Sequence, residues 1–269
     1  MAELSPASAC GALLLLLLLA ACNPADTKYT VEFQATTPTL EPQIGTHELQ
    51  LGATLFINRG FQWRDGLLHI PSGYRSSAAV PTPLLIWLHG GGGSAKDAKT
   101  LFPAADEFGV VVLAPDSRHN TWDGIDSPFG PDPNFIEKAL RYTAERVHID
   151  PQRITLGGLS DGASYALAIG RSNGDLFRHI VAVSAWRLRP PGPAQGQPRI
   201  LVAHGRNDNV YPEWHSRHVL APGLSEAGYD VTYHAFDGPH AVTAAAAQTI
   251  MRWIISAPDP NSEEATAPP

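Results

Sequence analysis

Ile154-Thr155-Leu156-Gly157-Gly158-Leu159-Ser160-Asp161-Gly162-Ala163-Ser164-Tyr165-Ala166-Leu167 is the stretch on which the reading of this chain turns. Ile154 to Gly157 is a short apolar run suited to a buried strand, and Asp161 to Ser172 carries a helical pattern. Between them, Gly158-Leu159-Ser160-Asp161-Gly162 leaves room only for a sharp turn. A serine on such a turn is driven into strained backbone angles, and flanking glycines remove the Cβ atoms that would collide there. Ser160 Oγ is then expected to project free above a sheet. The pentapeptide alone is a weak signal, because an ordinary turn can carry it; the strand before and the helix after give it weight.

Strand-like and helix-like segments alternate on both sides of this stretch, which predicts an α/β fold with a mostly parallel sheet and helices on both faces. Nearly continuous apolar runs, expected of fully buried strands, lie at Leu84 to Leu88, Val110 to Ala114, Ile180 to Ser184, Ile200 to Ala203 and Val231 to Phe236. Helices are predicted over Ala95 to Glu107, Pro133 to Val147, Asp161 to Ser172, Pro212 to Ala227 and Ala241 to Ile255. The opening differs. Leu49 to Ile57 and Gln62 to Ile70 alternate around Asn58-Arg59-Gly60, which predicts an N-terminal antiparallel hairpin at the sheet edge.

A serine hydroxyl is a poor nucleophile at neutral pH and needs a base in hydrogen-bond reach and a carboxylate to fix that base's tautomer. On a strand-turn-helix nucleophile the chain order is serine, acid, histidine. Asp208 follows the run ending at Ala203, and His240 follows the run ending at Phe236. Both therefore fall at carboxyl ends of predicted parallel strands, where open α/β sheets assemble their sites. Asp237 competes for the acid's role, yet a carboxylate so near His240 in sequence is more often a turn residue. An oxyanion would be held by the backbone N–H groups of Asp161 and Gly91, the latter in His89-Gly90-Gly91-Gly92-Gly93. The Asp161 carboxylate suits a helix N-terminus. A phosphate-binding reading of these glycines fails for want of a following Gly-Lys-Ser/Thr.

With these pieces in place, the chain resembles the phospholipase/carboxylesterase branch of the α/β-hydrolases, near acyl-protein thioesterases and polyhydroxybutyrate-depolymerase and feruloyl-esterase relatives. The residues that carry the resemblance are His89-Gly90-Gly91-Gly92, Gly158 to Ser164, His204-Gly205 through Asp208 with Pro212, and Gly238-Pro239-His240, within a domain spanning 46–256. The resemblance implies a serine carboxylesterase that needs no cofactor. Ser160 would be its nucleophile, Asp208 and His240 the acid and base, and Gly91 and Asp161 its oxyanion donors. Two alternatives stay open: a serine peptidase of the same fold and a non-catalytic lipoprotein binding module.

Other candidates carry less. Trp122 and Asp123, on the loop after Ala114, are expected either to line a substrate pocket or to pack that loop. His215 and His218 lie three apart on a predicted helix and are assigned to a solvated face, with no metal expected. His89 and His204 precede glycines at strand ends and are read as shaping loops. The Pro-rich connection from Arg187 to Arg199 leaves no room for a large helical lid, so an open groove for short-chain, aryl or polymeric esters is expected.

Composition bounds the partners. With 19 Lys and Arg against 26 Asp and Glu, a formal charge of −7 and no basic run, electrostatic binding of nucleic acid is not expected. The only cysteines are Cys10 and Cys22. Leu13 to Leu19 followed by Ala20-Ala21-Cys22 reads as the core and lipobox of a bacterial lipoprotein signal peptide, although the n-region has Glu3 and no Lys or Arg. The expectation is a signal peptide at 1–21, a lipid-anchored linker at 22–45 and a disordered tail at 257–269. The enzyme would then be exported and held to a membrane through Cys22, or secreted if that residue carries no lipid.

Overall fold

The computed structural model describes residues 38–52, 54–57, 60–75, 80–186 and 189–256. The leucine run, Cys22 and the tail after Ser256 lie outside the described residues. Ten strands are described: β1 (Gly45–Glu48), β2 (Thr54–Ile57), β3 (Gly60–Trp63), β4 (Gly66–Ile70), β5 (Thr82–Leu88), β6 (Val111–Pro115), β7 (Ile149–Leu159), β8 (His179–Val183), β9 (Arg199–Gly205) and β10 (Val231–Phe236). Eight of them form one sheet in the order β1-β4-β6-β5-β7-β8-β9-β10. Neighbours from β6 to β10 are parallel, while β1 and β4 run antiparallel at one edge.

Continuous apolar runs are explained by burial on both faces. Along β5, Leu85 and Trp87 face one core and Leu84, Ile86 and Leu88 the other. The first core is closed by α1 (Phe102–Phe108) and α6 (Ala244–Ile255). The opposite face is covered by α2 (Pro131–Ala144) and α3 (Asp161–Ser172), and further along by the helical stretch after β9. Each buried Leu, Ile or Val stabilises by roughly 1.5–3 kcal/mol relative to exposure, so the central strands anchor the fold.

One expectation needs refinement and two need correction. The antiparallel hairpin is present as β2 with β3, but it forms its own two-stranded ladder, while at the edge of the main sheet β1 pairs with β4 from Gly45↔Ile70 to Glu48↔Leu67. The break lies where Leu51 N–H donates to Asp65 Oδ2 at 3.1 Å in place of a ladder carbonyl. Gly66 follows at φ +141°, pressed so close to β6 that a Cβ would lie 2.6 Å from Ala114 O. The helix predicted over Ala95 to Glu107 is a 3-10 segment, Ala95–Leu101, followed by α1. Pro103 has no N–H to continue a ladder and fits only a first turn. Finally, β10 is half-exposed rather than fully buried, because only β9 flanks it.

Candidate active site

Ser160 sits between β7 and α3 at φ 59° and ψ −119°, a left-handed conformation for a residue with a Cβ, which costs of order 1–3 kcal/mol. The surroundings impose it. Ser160 N–H donates to Val183 O at the end of β8 (2.9 Å), and Ser160 O accepts from Ser164 N (2.9 Å) and Ser164 Oγ (3.0 Å). A Cβ on Gly162 would lie 2.2 Å from Leu88 O, and one on Gly158 would lie 2.5 Å from the Gly162 carbonyl carbon. Both contacts are with backbone, so neither glycine can be replaced without moving β5 or the turn.

The loops after β9 and β10 are stitched together. Arg206 N–H donates to Phe236 O and Asn207 N–H to Gly238 O (2.8 and 3.0 Å). A Cβ on Gly205 would meet Gly238 O and Pro239 O at 2.5 Å. This brings Asp208 and His240 together: His240 Nδ1 lies 2.7 Å from Asp208 Oδ2. Asp208 Oδ1 accepts from the Val210 and Tyr211 amides at 2.8 and 2.9 Å. Burial pushes the Asp208 carboxyl up, but the hydrogen bonds from His240 and the two amides outweigh it and hold the carboxyl below the usual range. With Nδ1–H committed to Asp208, Nε2 of a neutral His240 is left to accept a proton. Asp237 turns to solvent, 91% exposed, and pairs with Arg206 at 3.2 Å.

His204 touches the same acid. Its Nε2 lies 3.1 Å from Asp208 Oδ2 and 3.0 Å from Tyr211 O. A carbonyl only accepts, so Nε2 carries the proton, while Nδ1 shares a 2.7 Å bond with Ser216 Oγ. His204 thus shapes the Asp208 loop.

The glycine loop after β5 lies against the Ser160 turn. Gly92 N–H donates to Asn120 O and Gly93 N–H to Gly90 O. The Gly91 and Asp161 amides have no acceptor among the described residues. A Cβ at Gly91 would meet Asp161 Oδ2 at 2.5 Å, and that carboxylate accepts from Thr121 Oγ1 at 2.7 Å. His89 is buried beneath the loop. Ser117 N–H donates to its Nε2, so its Nδ1 holds the proton given to Gly90 O. Burial, with Arg64 alongside, pushes the His89 imidazolium pKa down and keeps the ring neutral.

Trp122 and Asp123 do not reach a pocket. Trp122 is wholly buried and donates its indole N–H to His89 O at 2.8 Å. Asp123, 2% exposed, exchanges hydrogen bonds with Asp132: each backbone N–H donates to the other's carboxylate, at 2.7 and 2.8 Å. Asp123 also accepts from Tyr165 OH at 2.6 Å. These side chains brace the loop from inside, so of the two expectations packing holds and pocket lining does not. The solvated face expected for His215 is corrected: it is buried and stacks on Trp186 at 4.0 Å, whereas His218 is exposed.

Tyr211 and Trp186 were not singled out from the sequence. The Tyr211 ring stands edge-on to His240 at 5.5 Å. Trp186 stacks on Tyr211 at 5.3 Å and is 40% exposed. The available signal is position, because Ser184-Ala185-Trp186 follows β8 just as the other site segments follow their strands. No group of three side chains suited to a metal ion occurs among the described residues.

No family model matches the chain. Over 107 residues, 35% of this chain and 29% of the relative, it is 31% identical to an acetylxylan esterase of Coprinopsis cinerea. Over 141 residues, 48% of this chain and 41% of the relative, it is 27% identical to a putative esterase, NocK, of Nocardia uniformis. The matches thus span less than half the length of these curated relatives. A substrate-bound structure of FphF, a fluorophosphonate-binding serine hydrolase of Staphylococcus aureus, superposes with a TM-score of 0.57 at 16% identity, over 78% of this chain and 97% of the other. The chain has the α/β-hydrolase fold.

Proposed function

We propose that this chain is a serine carboxylesterase, with Ser160 as nucleophile, His240 as base and Asp208 as the acid that orients it. The observation that carries the reading is the His240–Asp208 hydrogen bond at 2.7 Å, set beside a serine held at positive φ on a strand-to-helix turn. In the proposed cycle, Ser160 Oγ bonds to the ester carbonyl carbon while its proton passes to His240 Nε2. The C–O bond to the alcohol then breaks and His240 returns the proton to the leaving oxygen. Water, deprotonated by His240, attacks the acyl-enzyme; the acid departs and the proton goes back to Ser160. The Gly91 and Asp161 amides would take the oxyanion, having no other acceptor among the described residues. This chemistry calls for no cofactor.

The nearby connection between β8 and β9 has no helix among its described residues. An open groove of that kind suits short-chain, aryl or polymeric esters. Hydrolysis of p-nitrophenyl butyrate and labelling by a fluorophosphonate probe should both vanish in Ser160→Ala. An inert wild type would sink the reading. Export with lipid on Cys22 is part of the proposal. Labelled palmitate should enter the wild-type protein in bacterial cells and not Cys22→Ala; equal labelling of both would refute it.

A further inference from the structure

Between α3 and the helical stretch after β9 lies a hollow of about 380 Å³ that the proposed chemistry does not use. Leu167, Leu220 and Leu224 supply apolar lining, and Trp186, Arg171 and Arg189 line it too. The Trp186 indole is shared with the site. It also stacks on Tyr211, whose ring stands edge-on to His240. The Trp186 backbone is fixed there too, because its N–H donates to Ser164 Oγ, which in turn donates to Ser160 O. Trp186 thus links the hollow to the Ser160 turn.

Arg141, Arg146, Arg153, Arg199, Arg206 and Arg217 each hold a carboxylate, and Arg64 and Arg118 are tied to backbone carbonyls. Among the described residues, Arg171 and Arg189 hold no carboxylate; Arg171 bonds only Tyr229 OH, at 3.3 Å, and lies over that ring. In a protein with an excess of acidic residues, two uncommitted guanidinium groups beside one apolar hollow are suited to an anion from outside. Helix α3 gives the scale: Leu167 and Arg171 lie about 10 and 16 Å along the axis from Ser160, at about 1.5 Å per residue.

We infer that the hollow is a substrate subsite for esters with an apolar or planar body and a free carboxylate at the end remote from the bond cleaved. The body lies along Trp186 and the leucines, and the carboxylate ends on Arg171 and Arg189. This rests on the esterase reading of Ser160 and narrows its substrate class.

The test uses mono-p-nitrophenyl esters of α,ω-dicarboxylic acids of increasing length, each against its methyl-capped counterpart. We expect kcat/KM to favour the free acid by about tenfold once the chain is long enough to reach the arginines, the scale of one charge-assisted hydrogen bond. Arg189→Glu, on an exposed side chain, and Arg171→Gln should each pull that ratio toward one. Calorimetric titration of the free diacid into Ser160→Ala protein reads the same site without catalysis, and Arg189→Glu should abolish the heat. Hydrolysis of both esters with no preference at any length, or a preference untouched by either substitution, overturns the subsite and leaves the esterase standing. Diacid binding that needs Arg189, with neither ester cleaved, overturns the esterase and leaves an anion site.

Discussion

Asp208 and Asp132 occupy comparable ground. Each has a buried side chain, Asp208 on the loop after β9 and Asp132 in the first turn of α2, and each accepts two backbone amides. They titrate in opposite directions. Asp208 faces two imidazoles, His240 and His204, and its carboxyl is held low. Asp132 faces Asp123, and burial with that second carboxylate pushes it up to about 6 despite the donated amides and nearby Arg118. Two amides therefore do not by themselves hold a buried carboxyl at its ordinary pKa: desolvation outweighs them at Asp132, whereas at Asp208 the added hydrogen bond from His240 turns the balance. The first carboxylate joins the loops after β9 and β10, and the second ties a long connection whose Asp123 is held by α3.

Substitutions can break the contrast, and the largest effect should come from the acid. Asp208→Asn leaves shape intact but removes the charge opposite His240, and kcat should fall by about 10³–10⁴-fold with unchanged circular dichroism. Asp132→Asn and Asp237→Asn should keep kcat within a few-fold of wild type. An Asp237→Asn protein as damaged as Asp208→Asn would reverse the assignment. Next in size is Gly162→Ala. Its Cβ would fall 2.2 Å from Leu88 O, so the variant should lose several kcal/mol in urea unfolding, the range for strained or overpacked backbone sites.

The pH dependence sharpens the comparison. Asp132 has a folded pKa above its ordinary 3.8, so its contribution to stability is full below about 3.8 and is lost as pH rises to about 6. Asp208 has a folded pKa below 3.8, so its contribution is present above that value and lost as pH falls further. Melting temperature should therefore drop between about pH 4 and 6 through Asp132, and Asp132→Asn should flatten that limb alone. A limb unchanged in the variant would show that Asp132 is not its source. The smallest effect is expected at Tyr165→Phe, which removes the hydroxyl donor to Asp123. It should lower stability by about 1–2 kcal/mol with little change in kcat.

Much of this was legible in the sequence where one local rule governs. The bounds of α3 and β10 emerge as predicted, and Asp208 and His240 meet as their positions after successive parallel strands require. Illegible features depend on partners remote in the chain. Nothing around Gly66 announces that the Ala114 carbonyl presses on it and splits the hairpin. Asp123 looks like a polar loop residue until Asp132 and Tyr165 are seen to enclose it. Trp186 follows a strand end with no motif around it, and only the fold sets it beside Tyr211.

The helical stretch after β9 is α-helical at Glu213–His215, widens to a π-helix over Ser216–Leu220 and returns to α at Ala221–Glu226. A widened turn of this kind holds a residue more than a regular helix needs, and such turns are frequent at functional sites. Here it lets Ser216 reach His204 while Leu220 and Leu224 still meet the sheet. Losing one residue would restore a regular helix but turn everything beyond it by about 100°. One half of that pairing would come apart whichever end held its place. Length, more than side-chain identity, is what this stretch must conserve, and single-residue deletions here should be tolerated far less well than substitutions.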